Sequence, residues 1–285
     1  MNDGITIIIL TFNEEKNIKK VIESVRNITN NIYVVDSFSS DKTLDILKEE
    51  NIIYEQNPFE NYSIQRNWAQ LHNPFKSEWV LHLDADEPIT KELEKWILND
   101  FKKEKNNFDG FMFSRKTIFM DRWIKYGDQY PNYHLRLFKT KLGKCENKAY
   151  DQHYIVNGKV KKIPNADIIN TVAENLDDFI LAHNRWATKE AIEICTVKDT
   201  GDVTAKLLGN PIERKRWLKQ NIFEKTPLFF RSFLYFIYRY FIKFGFLDGK
   251  EGLIFYVLQS FWFRFLIDAK VYEIKKIEIK YNEKN

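Results

Sequence analysis

Apolar positions follow two regimes along this chain, and the change comes near residue 108. Before it, short β-branched runs alternate with stretches of helical spacing. Residues 5–10, ITIIIL, carry no charge and form a continuous β-branched run, the pattern of a central parallel strand covered on both faces. Between Glu14 and Arg26 the apolar positions are Ile18, Val21, Ile22 and Val25, one stripe of a helix. IYVVDS (32–37) predicts a second strand, and the helix after it opens at Ser40 or Asp41 as N-cap and carries Leu44, Ile46 and Leu47. A short strand near Ile52–Tyr54, a helix around Ser63–Leu71 and a buried strand, WVLHL (79–83), complete the series. Strand alternating with helix predicts an α/β fold with a mostly parallel sheet and flanking helices.

After residue 108 the rhythm changes. FDGFMFSRK (108–116) and HLRLFK (134–139) read as strands flanking a loop rich in Trp, Tyr, Gly and Pro. HYIVNGKVKKI (153–163) predicts a hairpin turning at Asn157-Gly158, and 175–206 a helix. Beyond Pro211 the chain becomes aromatic and basic. Cys145 and Cys195 fit no metal or redox spacing, which points to a reducing compartment, and the opening MNDG predicts no signal peptide. The net charge of +4 hides a split: from Ile212 onward there are 15 Lys and Arg against 8 Asp and Glu. A basic tail of this kind points to an anionic surface.

The strand at 79–83 runs straight into Asp84, Asp86 and Glu87. Carboxylates so crowded repel one another, so a positive charge belongs beside them. In parallel sheets ligands bind beyond the carboxyl ends of the strands, and Thr11, Asn13, Asp36, Asp84 and Asp86 all fall there. Two carboxylates one residue apart suit Mg²⁺ or Mn²⁺, hard cations that share their ligands with substrate phosphates. Asp36 is placed either to accept hydrogen bonds from a ribose or base, or to serve as an N-terminal helix cap in the loop DSFSSDKT. Arg66 is either a cation for phosphates or a solvated helical residue.

Together, ITIIILTFNEEKNI, VVDSFSSDKT, SIQRNWA and WVLHLDADE resemble the inverting glycosyltransferases of family 2, which have the GT-A fold. The nearest likeness within that family is to the lipopolysaccharide-core β-glucosyltransferase branch. It continues through DRWIKYGDQYPNYHLRLFK and NLDDFILAHNRW and reaches KFGFLDGKEGL. The resemblance implies that Thr11, Asn13, Glu14 and Asp36 hold the nucleotide, that Arg66 faces its diphosphate, and that Asp84 and Asp86 position the metal. His134 and Arg136, in HLRLF, match a motif near the diphosphate and acceptor. Relatives carry His-Glu where this chain has Asp151-Gln152, and a histidine where it has Asn170. Asp151 is the first candidate for the general base and Asp128 the second. The domain organisation implied is a GT-A domain over 1–210, with a nucleotide-sugar half at about 1–107 and an acceptor half at about 108–210, followed by a membrane-associating region at 211–285.

On a helical wheel, PLFFRSFLYFIYRYFIKF (227–244) separates a wide aromatic face from an arc holding Arg231, Arg239 and Lys243. Such a helix lies in a membrane interface, and three cations argue against a span. GLIFYVLQSFWFRFLI (252–267) is shorter than the roughly 20 residues a span needs. It reads as a helix packed under the first or dipping into lipid, or as a core helix of the globular domain. The expectation is a cytoplasmic glycosyltransferase, peripheral on the bacterial inner membrane through 227–267. It takes a nucleotide-sugar donor, UDP-linked, a lipid-linked glycan acceptor and Mn²⁺ or Mg²⁺. Nucleic acid is not expected, because the acidic body offers no basic groove. The rivals are a phosphotransferase using the acids of LDAD and a non-catalytic membrane protein of the same fold.

Overall fold

A computed structural model of the chain describes residues 4–147, 152–196, 205–209, 211–223 and 225–282. The unbroken β-branched run forms β1, Ile5–Thr11, buried at all seven positions. β1 lies parallel to β2 (Ile32–Asp36) on one side and β4 (Trp79–Asp84) on the other, and β2 is parallel to β3 (Ile53–Gln56). Helix α1 (Ile18–Val25) buries the four predicted residues. Ahead of α2 (Thr43–Glu49), the Asp41 carboxylate accepts the Thr43 N–H at 3.0 Å and its hydroxyl at 2.6 Å. α3 (Tyr62–His72) is capped by Asn61, which accepts the Ile64 N–H at 3.0 Å. α4 (Lys91–Asn99) and the single turn α5 (Phe101–Glu104) follow β4.

The rest of the sheet is antiparallel where pairing with β7 is concerned. β5 (Gly110–Phe119) carries β6 (Arg122–Trp123) at its end, and β7 (Tyr133–Lys139) runs antiparallel to both β4 and β5. β8 (Gly143–Cys145) and β9 (Tyr154–Val156) pair with each other, and β10 (Val160–Thr171) joins the main sheet, whose order is β10-β5-β7-β4-β1-β2-β3. The hairpin expected across Asn157-Gly158 is therefore replaced: its two arms go to different sheets. Asp109 exchanges backbone and side-chain hydrogen bonds with Lys159 at 2.7 and 2.9 Å, which starts β10 beside β5. β10 then adds Ile163, Ala166 and Ile168 to the main core, a burial that an isolated two-stranded ladder does not offer.

The chain divides into two compact units: Met1–Lys116 with Asn132–Asn170, and Thr117–Pro131 with Thr171–Asn285. In the second, α6 (Leu176–Thr196) is followed by α7 (Pro211–Leu218), α8 (Phe230–Ile237), α9 (Gly249–Tyr256) and α10 (Phe263–Asn282). Phe119, Ile124, Phe179, Phe255 and Tyr256 form one core, and Ala187, Ala191, Phe263, Ile267 and Val271 another. The helical run Gly245–Ile277, 33 residues, is long and apolar enough to cross a membrane by length and composition.

The wheel of 227–244 keeps its aromatic arc outward, but two residues of its basic arc turn inward. Arg231 and Arg239 are buried, and Phe230, Phe233, Leu234, Phe241 and Phe244 are exposed. Asp268 accepts from Arg231 Nε at 2.8 Å and from the Phe229 N–H at 2.7 Å. Arg239 Nε donates to the Gly127 carbonyl at 2.7 Å, and its other nitrogens reach Gln129 and Ser260. A guanidinium can enter a core when its fork is saturated by acceptors, which a wheel does not register. Lys243, a strongly hydrated point charge, stays outside. Asp248, in the GFLDGK stretch, accepts the Lys125 and Tyr126 N–H groups at 3.0 Å each and the Tyr256 hydroxyl at 3.0 Å. That motif of the tail is thus structural, holding the loop that carries Asp128. Arg231→Gln is expected to lower stability by about 3–5 kcal/mol, since it strands the buried Asp268. Urea unfolding of the variant beside Phe230→Ser, which removes an exposed ring, tests this; equal midpoints would contradict it.

Candidate functional site

The residues at the strand ends are brought level by register. Thr11 pairs with Asp36 and Leu10 with Asp84, so β1, β2 and β4 terminate side by side. Beyond β1, Asn13 turns the chain at φ 56°. Its N–H donates to Ser39 Oγ at 2.8 Å, its Oδ1 accepts the Ser40 N–H at 2.8 Å, and the Glu14 N–H donates to Thr43 Oγ1 at 2.9 Å. Asp36 is wholly buried and accepts the Ser39 N–H and Gln56 Nε2, each at 2.9 Å, as well as the Ser39 hydroxyl. Its carboxylate thus ties the loop after β2 to the end of β3, and Ser39 in turn meets the loop after β1. Thr11 Oγ1 is buried without a hydrogen-bond partner among the described residues.

The acids after β4 already have cations beside them. Asp84 takes Arg66 at 3.1 Å, Arg136 at 3.4 Å and Arg115 at 3.5 Å. Glu87, buried, takes Arg136 at 2.7 Å and Arg115, and accepts the Asp84 N–H at 3.1 Å. Burial alone would raise the Asp84 carboxyl; Arg66, Arg136 and Arg115 together hold it well below the ordinary carboxylate range. Asp86 is different. It enters none of the hydrogen bonds or ion pairs among the described residues, and burial, with Asp84, Glu87 and Glu14 around it, pushes its carboxyl up to about 7.

The three arginines are themselves held in place. Arg66 lies between the rings of Tyr62 and Tyr154, at 5.3 and 5.2 Å, and Arg136 lies 5.9 Å from Tyr154. Arg66 Nε, Arg115 Nε and Arg136 Nη1 are buried N–H groups with no acceptor among the described residues. Orphaned donors of this kind mark a place for water or an anionic ligand. Below them His82 on β4 is kept neutral, its imidazole pushed down to about 3 by burial and then by Arg66 and Arg136.

Sequence reasoning did not select Arg115 or Glu87. Glu87 stood in the quoted acid run. Arg115 had a weaker signal: it shares strand parity with Phe113, which is buried, and a cation at a core-facing position implies a buried anion. Of the base candidates, Asp151 lies outside the described residues, and Asp128 occupies an exposed turn of the second unit at φ 61°. Asn170 stands near the end of β10.

A family model described as Glycosyl transferase family 2 matches residues 6–156, more than half of the chain and everything from β1 to β9. The chain belongs to glycosyltransferase family 2. An uncharacterised glycosyltransferase of Rickettsia bellii is 34% identical over 119 residues, covering 41% of this chain and 39% of that protein. One of Rickettsia typhi is 27% identical over 281 residues, covering 95% and 87%. The matches to the R. bellii and R. prowazekii proteins span less than half the length of those relatives. Among solved structures, S. aureus TarS 1–349 in complex with UDP-GlcNAc aligns with a TM-score of 0.47 at 14% identity, over 96% of this chain and 92% of that one. Membership of family 2 agrees with the mixed α/β scaffold, whose central strands are parallel, as expected of GT-A.

The donor set suits a divalent cation only in part. No group of three His, Cys, Asp or Glu among the described residues is arranged to hold a metal. Asp86, free of partners, is the carboxylate a cation would take, with Asp84 next to it already bound to arginines. A Mg²⁺ or Mn²⁺ held there would keep most of its shell as water and substrate oxygens.

Proposed function

We propose that this family 2 enzyme transfers a sugar, with inversion, from a UDP-linked donor to a hydroxyl of a lipid-linked saccharide. The pathway is the building of a bacterial surface glycan, lipopolysaccharide core or a related polymer, at the cytoplasmic face of the inner membrane. The observation that carries the reading is the charge balance after β4. Arg66, Arg115 and Arg136 are matched by Asp84, Asp86 and Glu87, so a diphosphate arriving at the arginines' orphaned donors brings surplus negative charge. A Mn²⁺ or Mg²⁺ on Asp86 would restore neutrality and take up the charge that collects on the departing diphosphate. Arg66 and Arg136 orient the diphosphate, and the loops after β1 and β2, carrying Thr11, Asn13, Glu14 and Asp36, cradle the nucleoside. The choice of uridine and of a lipid-linked acceptor rests on the sequence resemblance.

The membrane side of the proposal rests on the exposed aromatic face of the second unit, with Lys243 and Lys250 exposed along the same segment. Contiguous apolar surface beside cations fits an anionic lipid interface. The test of donor binding is thermal. At a donor concentration 100 times Kd, mass action adds about 2.7 kcal/mol, or a melting shift of about 5–10 °C for a chain of this size. UDP-glucose, UDP-galactose and UDP-GlcNAc are screened with and without Mn²⁺, and the shift is expected to need the metal. No shift with any nucleotide sugar would overturn the donor assignment.

A further inference from the structure

We infer that Glu146 and His153 form a carboxylate–imidazole pair that serves this site as its general base, His153 receiving the proton and Glu146 holding the ring. The inference rests on the glycosyltransferase reading above. β8 and β9 pair in register through Cys145 and Tyr154, and one step further the Glu146 N–H donates to the His153 carbonyl at 2.9 Å. The Glu146 carboxylate, fully buried, accepts the His153 N–H at 2.9 Å and faces Nδ1 of the ring at 3.2 Å. With Nδ1–H turned to Glu146, Nε2 is left on the far side of the ring as the acceptor, the tautomer a base requires. The imidazole keeps 16% of its side-chain surface open, so the pair is not sealed in the core.

Four contacts set the pair at the arginine cluster. Ser63 Oγ donates to the Glu146 carbonyl at 2.6 Å, and Asn67 brackets the Cys145 amide at 2.9 Å through both ends of its side chain. These two residues flank Arg66 on one face of α3. Tyr154, next after His153, is the ring that covers both Arg66 and Arg136. His134, two residues before Arg136 on the same face of β7, stacks parallel to His153 at 6.4 Å. Among the described residues, the titratable groups beside the ring are Glu146 and His134. In the step proposed, Nε2 takes the proton of the acceptor hydroxyl as that oxygen bonds to the anomeric carbon. The bond from that carbon to the diphosphate oxygen breaks, and its electron pair leaves on the nucleoside diphosphate. Ionised Glu146 stabilises the imidazolium until water removes the proton.

The experiment follows UDP release from UDP-glucose, UDP-galactose and UDP-GlcNAc, with Mn²⁺ and octyl glycosides as acceptors, across pH 5 to 9. His153→Gln is expected to lower kcat by about 10²–10⁴-fold with the donor KM unchanged, and to remove the acidic limb of the pH profile. Glu146→Gln, which still accepts the backbone N–H, is expected to keep the fold and move that limb to lower pH. Asp151→Asn is expected to retain the limb. A His153→Gln variant with the wild-type rate and limb overturns the proposal. So does one that loses UDP-induced thermal stabilisation together with activity, because the pair is then a structural clamp. Absence of UDP release by the wild type instead overturns the donor reading beneath it.

Discussion

Asp86→Asn is expected to cut sugar transfer by about 10²–10³-fold or more while the protein melts no lower than wild type. The two halves of that result have one cause. Asp86 has no partner to lose among the described residues, and it sits against three other carboxylates, so the amide removes repulsion and breaks no bond. It also removes the one carboxylate of the cluster free to take a cation, and with it the charge that would meet the leaving diphosphate. Asp84→Asn should behave otherwise. Asp84 is bound by three guanidiniums, and removing its charge leaves Arg115 and Arg136 to Glu87 and takes away the ion pair of Arg66, at a cost of about 3–5 kcal/mol in stability. Asp86 is therefore the clean probe, and EDTA treatment of the wild type should reproduce its phenotype. A folded Asp86→Asn variant at full rate, or a wild-type rate indifferent to EDTA, would remove the metal from the mechanism.

Replacing Phe230, Phe233, Phe241 and Phe244 by Ser is expected to release the protein from anionic liposomes and leave its melting temperature within a few degrees of wild type. All four rings are about half exposed, so they contribute little to the core. Fully burying such a side chain is worth roughly 1.5–3 kcal/mol, and these half-covered rings would gain about half of that each on entering lipid. Four together give about 3–6 kcal/mol, a change of about 10²–10⁴ in partitioning. Lys243→Gln with Lys250→Gln should weaken binding by about 1 kcal/mol per charge, and only at low salt. Flotation at low and high salt separates the two terms. Arg231 and Arg239, which the wheel had offered as headgroup contacts, are unsuitable for this experiment because their removal opens the core. Liposome binding that survives loss of all four rings would assign this surface to something other than a membrane.

The sequence by itself determined the parallel half of the sheet and the grouping of several candidate site residues at its strand ends. β-branched runs with no charge leave few alternatives to a doubly covered strand, and α1 buries the four residues its periodicity names. Since ligands meet such sheets beyond the strand ends, Thr11, Asp36 and Asp84 could be grouped from their positions alone, and register places them level. What only tertiary structure decided is which partner each group has. Asp84 and Asp86 are alike in sequence, yet one is saturated by arginines from α3, β5 and β7 and the other is left bare. Glu146 and His153 are seven positions apart in the sequence and meet because β8 and β9 pair. The predicted hairpin was dissolved by an edge of the main sheet that offered β10 a larger core. The tail makes the same point most plainly. Its 3.6-residue periodicity separated an aromatic arc from a basic one correctly, but periodicity carries no inside or outside. Asp268, Gln129 and the Gly127 carbonyl lie far away in sequence, and by saturating Arg231 and Arg239 they drew those two residues of the basic arc inward. Burial of a charge depends on acceptors brought by other segments, and no local pattern contains them.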